Sequence, residues 1–376
     1  MNRSDPMPLA FSLYLDVLRF VAATAVFLDH LTSYPFTDNT RGPREGVALL
    51  LGSHGAVAVT LFSVLSGYVI AYVAATRERS AGDYAISRVS RLYSVVLPAI
   101  ALTWFLDTAG QWLQPDFYAI QKVMWRPPSL QGYGSGLFLV NEWQLFNWGG
   151  VVPGTNAPYW SLSFEATYYL LAGLALFARR WVAVIAGIAV LALAGRTITA
   201  LLPLWVLGFW LYHARDMLSA RLPAPRAVAI ATGLLLLALP HLLGPVKFDN
   251  FGLRFEWGRG PFNRNLLLDY AAAFLFAVHL VATYAVLKER PSLPGPSASV
   301  VRWLGTLTFP FYAIHYPALC FFAAVSPFDR ESVLSMAFVV VTVCALVTAV
   351  TPVCESLKAM MRARIRGATR LSGATA

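Results

Sequence analysis

Long apolar segments recur along the whole chain, and most are long enough to cross a lipid bilayer, the shortest being 181–195 and 197–213. A membrane-spanning helix needs about 20 mostly apolar residues, and the sequence offers about ten such segments. Only 13% of the residues are charged, against about 25% in a typical soluble domain. We therefore predict an all-α fold, a polytopic transmembrane helix bundle. The predicted spans are 10–34, 46–75, 92–110, 158–178, 181–195, 197–213, 227–244, 264–287, 303–323 and 332–356.

The distribution of lysine and arginine orients this bundle. The net charge of +10 comes from basic residues that lie between the apolar segments, which is typical of membrane topology and does not indicate a nucleic-acid partner. Placing both termini in the cytoplasm puts most of these residues on the cytoplasmic side. We then expect one membrane domain over 1–376, in which 111–157 is an extracytoplasmic loop and 357–376 a cytoplasmic tail. The expected location is the inner (plasma) membrane, as a multi-pass protein.

The first span carries charge where lipid is expected. Arg19 and His30 are eleven positions apart, about three helical turns, so they share nearly one stripe with a rise of roughly 16 Å between them. Because ionisable residues inside spans are costly, such a pair is a functional candidate. One alternative is an ion pair between Arg19 and Asp16, with Asp29 and His30 marking the membrane surface.

Two further segments combine polar and small residues. Ser66 and Gly67 lie in the second span, where small residues permit close helix packing or a local break. Arg88 and Arg91 share a helix face before the third span and have the geometry to hold phosphates bidentately. Their alternative role is ordinary anchoring on the cytoplasmic side.

Later spans contribute a carboxylate and a histidine. Glu165 follows Trp160 near the start of the fourth span, and at that depth it needs an arginine or a polar cavity as partner. His315 stands among aromatic residues, where a packed, hydrogen-bonded histidine is the main alternative. The three cysteines and the other histidines form no metal-ligand pattern, so we predict no metal.

These segments, in this order, resemble the acyltransferase-3 family of integral membrane O-acyltransferases. Each matches one of the family's motifs, although no single motif is specific. The matches are Arg19 and His30 to R-x10-H, 61–68 to F-F-x-L-S-G-[FY], Arg88 and Arg91 to R-x-x-R, 160–165 to W-S-L-x-x-E, and 312–317 to Y-x-x-H-x-P.

The resemblance implies an enzyme that moves an acyl group, expected to be acetyl, from acyl-CoA to a carbohydrate hydroxyl. The donor acyl-CoA (acetyl-CoA) is a substrate, and no permanently bound cofactor is expected. His30 would be the general base, because an imidazole titrates near neutral pH. The remaining implied roles are a catalytic one for Glu165, donor binding by Arg19, Arg88, Arg91, Ser66 and Gly67, and acceptor binding by Asp29, Trp160 and His315.

Several alternatives remain open at this point. The acceptor is a cell-envelope or secreted polysaccharide, or else a glycosylated small metabolite such as a macrolide-type sugar. Direct transfer competes with a covalent acyl-His30 step. A membrane transporter would also keep Arg, His and Glu inside its spans, although the sequence shows no internal repeat of the kind common in transporters. A scaffold subunit has little use for these residues.

Overall fold

The computed structural model describes residues 7–33, 54–119, 129–144, 151–243, 265–290, 295–330 and 332–373. This part of the chain is helical, with short connections and without strands. Its long helices are α1 (Leu9–Ser33), α2 (Gly55–Thr76), α3 (Ala81–Leu113), α4 (Trp160–Phe177), α5 (Arg180–Ala194), α6 (Arg196–Arg221), α7 (Pro225–Leu243), α8 (Leu266–Leu287), α9 (Gly295–Ala324) and α10 (Val333–Gly373). Short helices lie at Pro115–Ala119, Leu130–Gly134, Ser135–Leu137 and Ala157–Tyr159.

Eight of these helices, α1 to α3 and α6 to α10, are long and apolar enough to cross a membrane. α5 is a shorter apolar helix, and α4 begins with the polar sequence of the predicted fourth span. Large apolar side chains such as Ile188, Leu237, Phe274 and Val341 point outward, which is favourable in lipid and unfavourable in water. The prediction of an all-helical protein with multiple spans is confirmed. The cytoplasmic orientation of the termini stays a prediction.

The chain divides into two compact units. The first contains α1, α2, α7, α8, residues 199–221 of α6 and residues 295–308 of α9. Within it, α7 packs along α8, and α2 packs against α1 and α8.

The second unit contains α3, α4, α5, α10 and residues 309–324 of α9. α3 packs against α10 and α4, and α4 packs against α5. One buried cluster joins Val95 and Ala99 of α3 to Ala313 and Ile314 of α9 and to Cys354 of α10. This cluster fixes the part of α9 that carries His315.

Two helix boundaries bear on the predicted site. Ser80 caps α3, because its Oγ accepts a hydrogen bond of 3.1 Å from the backbone N–H of Asp83. The helix therefore begins at Ala81, earlier than the predicted span at 92, and Arg88 and Arg91 lie inside it. Gly195 separates α5 from α6 with a φ of +89°, a left-handed conformation that favours glycine. The predicted break between the fifth and sixth spans is thus confirmed.

Candidate functional site

α1 is one unbroken helix that carries both Arg19 and His30, as the sequence predicts. Arg19 Nη1 lies 3.7 Å from Asp16 Oδ1, so the ion pair weighed as an alternative is present. Asp16 also pairs with Arg302 at the start of α9. Arg19 thus has an ion-pair partner within α1, and its role toward the donor stays a prediction. His30 is half-buried in the last turns of α1.

Asp29 lies at the first residue of α2. A Cβ atom placed on Gly55 would be 2.4 Å from Asp29 Oδ2, so the carboxylate occupies the space that a side chain would need. A negative charge at a helix N-terminus is stabilising by about 0.3–1 kcal/mol. Asp29 therefore has an evident structural role, and acceptor binding by Asp29 stays a prediction.

Ser66 and Gly67 form the closest approach between α2 and α6. A Cβ atom on Gly67 would lie 2.0 Å from the carbonyl oxygen of Trp205, and one on Gly208 would lie 1.9 Å from that of Val64. Trp205 Nε1 donates a hydrogen bond of 3.2 Å to Ser66 Oγ. The packing role weighed for this motif is present, and donor binding by Ser66 and Gly67 stays a prediction.

Arg88 is buried in the second unit and paired with Glu78, a residue that belongs to none of the motifs. Its Nη2 lies 2.6 Å from Glu78 Oε1, and the two side chains are only 7% and 4% exposed. The guanidinium carbon is 4.9 Å from the ring centroid of Tyr84 and 5.5 Å from that of Tyr169. Arg88 is thus enclosed by a carboxylate and two aromatic rings.

Tyr169 brings Glu165 into the same cluster. The Tyr169 hydroxyl donates a hydrogen bond to Glu165 Oε1, one turn earlier on α4. Glu165 and Tyr169 act electrostatically on Arg91, whose guanidinium carbon is 5.5 Å from the ring centroid of Phe309. The structure therefore brings together Arg88, Arg91 and Glu165, and Glu165 has the polar surroundings that its depth demands.

A third arginine reaches this region from α10. Arg362 Nε donates a hydrogen bond of 3.1 Å to Ser90 Oγ, and Ser90 lies between the two arginines of α3. In the sequence, Arg362 looks like one of several basic residues that follow the last span. The sequence does not distinguish Arg362 from these neighbours, because its contact with Ser90 arises from the packing of α10 against α3.

The two late motifs contact each other through hydroxyl groups. Ser161 Oγ donates a hydrogen bond of 2.9 Å to the Tyr312 hydroxyl, while Trp160 packs edge-to-face on Phe164. His315 is 1% exposed, and its Nδ1 donates to the Tyr312 carbonyl at 2.9 Å. The alternative of a packed, hydrogen-bonded histidine is therefore present. Acceptor binding by Trp160 and His315 stays a prediction.

Asn156 compensates for a proline in α9. Proline lacks an N–H group, so Pro317 leaves the carbonyl of Ala313, four residues earlier, without its helical donor. Asn156 Nδ2 donates to that carbonyl at 2.9 Å and lies 3.1 Å from Thr103 Oγ1. Asn156 is fully buried. It thereby fixes the helix segment that carries Tyr312 and His315.

Asp107 in turn holds the segment that carries Asn156. Its two carboxylate oxygens accept hydrogen bonds from the backbone N–H of Thr155 at 2.8 Å and from Thr155 Oγ1 at 2.7 Å. Gly154, with a φ of +49°, leaves no room for a Cβ beside this carboxylate. Burial raises the pKa of Tyr118 and of Tyr133, so these neighbouring phenols stay protonated.

We expect the substitution Asn156→Ala to cost about 1–3 kcal/mol of unfolding free energy, because it leaves a buried carbonyl unsatisfied. In a Pro317→Ala background this cost should shrink, since residue 317 then supplies the helical N–H. The coupling is measured from the unfolding free energies of the native protein, the two single variants and the double variant. Pro352→Ala, in the interior of α10, is the matched control and should leave the cost of Asn156→Ala unchanged. An equal cost with and without Pro317 would exclude this role.

The predicted site residues fall into two groups. The first unit holds Arg19, Asp29, His30, Ser66 and Gly67, and the second holds the remaining five. Within the second unit, Arg88, Arg91 and Glu165 meet around Tyr169. The catalytic roles of His30 and of Glu165 stay predictions.

Comparison with known proteins places the chain in a protein family. The family model for the acyltransferase domain of the acyltransferase-3 family matches residues 12–353. The acyltransferase MdmB of Streptomyces mycarofaciens is 29% identical over 164 residues, which cover 41% of this chain and 36% of that protein. The chain therefore aligns with little more than a third of this relative's length. No solved structure matches the chain.

Proposed function

This chain belongs to the acyltransferase-3 family, and we propose from that premise that it moves an acyl group from acyl-CoA to a carbohydrate hydroxyl. It is a multi-pass membrane acyltransferase. The proposal includes three further points. The transferred group is acetyl, the acceptor is a cell-envelope or secreted polysaccharide, and the protein lies in the inner membrane.

The proposal depends on one observation: the two arginines of α3 have buried hydrogen-bond donors without acceptors in the described part of the chain. Among the described residues, the buried Nε atoms of Arg88 and Arg91 have no hydrogen-bond partner. Buried donors are normally satisfied, and a guanidinium matches phosphate oxygens especially well. The phosphates of acyl-CoA would supply the missing acceptors. Donor binding by Arg19 belongs to the proposal through the family motif.

His30 would perform the proton transfer. Its neutral imidazole accepts the proton of the acceptor hydroxyl while that oxygen attacks the thioester carbonyl carbon. The carbon–sulfur bond then breaks, and the imidazolium returns the proton to the leaving sulfur, so that CoA leaves as a thiol. Glu165 would orient or stabilise the imidazolium. In the covalent alternative, the acyl group rests on His30 before the hydroxyl attacks.

Mass spectrometry of envelope glycans from a strain lacking this chain tests the proposal. The expected result is the loss of acetyl groups from one glycan, restored by the native gene and not by a His30→Ala gene. Unchanged glycans together with a loss of acylation on a glycosylated metabolite would move the acceptor to the macrolide-type class. Transport in proteoliposomes without consumption of acyl-CoA would contradict the enzyme assignment.

A further inference from the structure

Besides Arg88 in the second unit, the structure buries an arginine in the first unit, and the family motifs do not include it. Arg215 in α6 is 8% exposed, and its guanidinium carbon lies 4.1 Å from the ring centroid of Tyr212 and 5.7 Å from that of Tyr284 in α8. Tyr68 of α2 packs edge-to-face on Tyr212 with ring centroids 5.6 Å apart. Three helices thus enclose one cation with three tyrosines, a group that we name the Arg215 cluster.

The positive charge of this cluster is only partly compensated. Arg215 Nη1 donates a hydrogen bond of 2.6 Å to the carbonyl of Tyr212 in its own helix. Within the described part of the chain, the carboxylate at ion-pair distance belongs to Asp216, whose Oδ2 is 3.6 Å from Arg215 Nε. The Asp216 side chain is 66% exposed, and its Oδ1 already accepts a hydrogen bond of 2.5 Å from Tyr284. An exposed carboxylate at this distance stabilises a guanidinium weakly.

Two hydroxyl groups in the Arg215 cluster lack partners. Tyr68 and Tyr212 are 1% and 2% exposed, and among the described residues neither hydroxyl has a hydrogen-bond partner. A buried hydroxyl without a partner is costly and calls for an explanation. Two phenol donors beside an arginine match a ligand that presents several anionic oxygens.

The cluster lies at one end of its helices. Arg215 is six residues before the end of α6 at Arg221, and Tyr284 is three residues before the end of α8. Phe11, at the start of α1, packs against Tyr284 and Tyr68. The charge distribution predicts the cytoplasm at this end, where phosphate-bearing donors and anionic lipid head groups are both available.

We propose that the Arg215 cluster is a phosphate-binding site separate from the arginines of α3. Arg215 would pair with a phosphate oxygen, and the hydroxyls of Tyr68 and Tyr212 would donate to the others. The phosphate comes from the acyl-CoA donor or from an anionic lipid. The donor source rests on the proposed function, whereas the site itself does not.

Calorimetric titration of the purified chain in phosphatidylcholine nanodiscs tests the donor source, with CoA and 3′-dephospho-CoA as probes. Arg215→Gln should weaken CoA binding about 10- to 100-fold, as expected for the loss of a charge-assisted hydrogen bond. Tyr212→Phe removes one hydroxyl with little change of shape and should weaken it about 3- to 10-fold. If the 3′-phosphate occupies the site, both effects vanish with 3′-dephospho-CoA.

The matched controls are Arg221→Gln, an exposed arginine on the same helix, and Tyr72→Phe, one turn beyond Tyr68 on α2. Both should leave CoA affinity within about twofold of the native value. Arg221 is exposed, and Tyr72→Phe keeps the ring that packs on Tyr212 while removing a hydroxyl that the proposed site does not use. Thermal unfolding of each variant reports whether it is folded. Tyr212→Phe keeps the test decisive even if Arg215→Gln fails to fold.

The lipid source is tested by native mass spectrometry of the chain in mixed phosphatidylglycerol and phosphatidylcholine. Arg215→Gln should lose bound phosphatidylglycerol if a lipid occupies the site. Native retention of both CoA and phosphatidylglycerol by folded Arg215→Gln and Tyr212→Phe variants would overturn the inference. Arg215-dependent CoA binding without acyl transfer would support the site and contradict the proposed function, so the two failures are distinguishable.

Discussion

Replacing His30 by alanine is expected to abolish acyl transfer while leaving the protein folded and inserted in the membrane. General acid–base catalysis contributes about 10²- to 10⁴-fold to a rate, and loss of a covalent nucleophile would cost at least as much. His30 lies near the end of the unbroken α1 and is half-buried. Its removal therefore deletes a chemical group without opening a large cavity.

The measurement is the initial rate of acyl transfer in membrane vesicles supplied with acyl-CoA and acceptor. His241→Ala, at an exposed position on α7, is the matched control and should retain native activity. Incubation with acyl-CoA but no acceptor distinguishes the two routes, because only a covalent route releases a stoichiometric burst of CoA thiol. A folded His30→Ala variant that transfers acyl groups at the native rate would remove His30 from the mechanism.

The architecture was predictable from the sequence, since apolar length and basic flanks are local properties of each segment. The boundary of α3 was less predictable, because the cap at Ser80 starts the helix before the apolar segment begins. For that reason, the sequence placed Arg88 and Arg91 before the third span, whereas both lie inside α3 and Arg88 is buried beside Glu78. The start of α3 is set by the capping residue Ser80, which a hydropathy pattern does not reveal.

The contacts that build the site were not predictable from one sequence. Asn156 and Pro317 are far apart along the chain, and only the fold shows that one supplies the donor that the other removes. Donor binding by Gly67 stays a prediction, and only the fold shows that Gly67 lies at the close approach of α2 to α6. The pairing of Arg362 with Ser90 depends likewise on helix packing. Motifs indicate which residues matter, and tertiary contacts decide what each one touches.

Removing the Glu78 carboxylate should destabilise the protein strongly. Glu78→Ala leaves the Arg88 guanidinium buried and uncompensated, which costs about 3–5 kcal/mol in comparable buried pairs. The partly exposed pair of Glu355 and Lys358 on α10, whose side chains are 46% and 27% exposed, is the matched control, because Glu355→Ala should cost at most about 1 kcal/mol. Denaturant unfolding of both variants in the same detergent gives the comparison. Equal costs would show that Glu78 does not compensate a buried charge.

Replacing both partners separates the structural role of Arg88 from donor binding. Apolar residues in place of a buried ion pair are often neutral or stabilising by about 1–4 kcal/mol, so a Glu78→Leu, Arg88→Leu variant should fold. If Arg88 also holds a donor phosphate, this variant has a raised apparent KM for acyl-CoA. Arg88→Ala alone cannot make the distinction, because it leaves Glu78 buried without its cation. A stable double variant with a native KM would assign Arg88 to the fold and leave Arg91 and Arg19 as the donor-binding candidates of the family motifs.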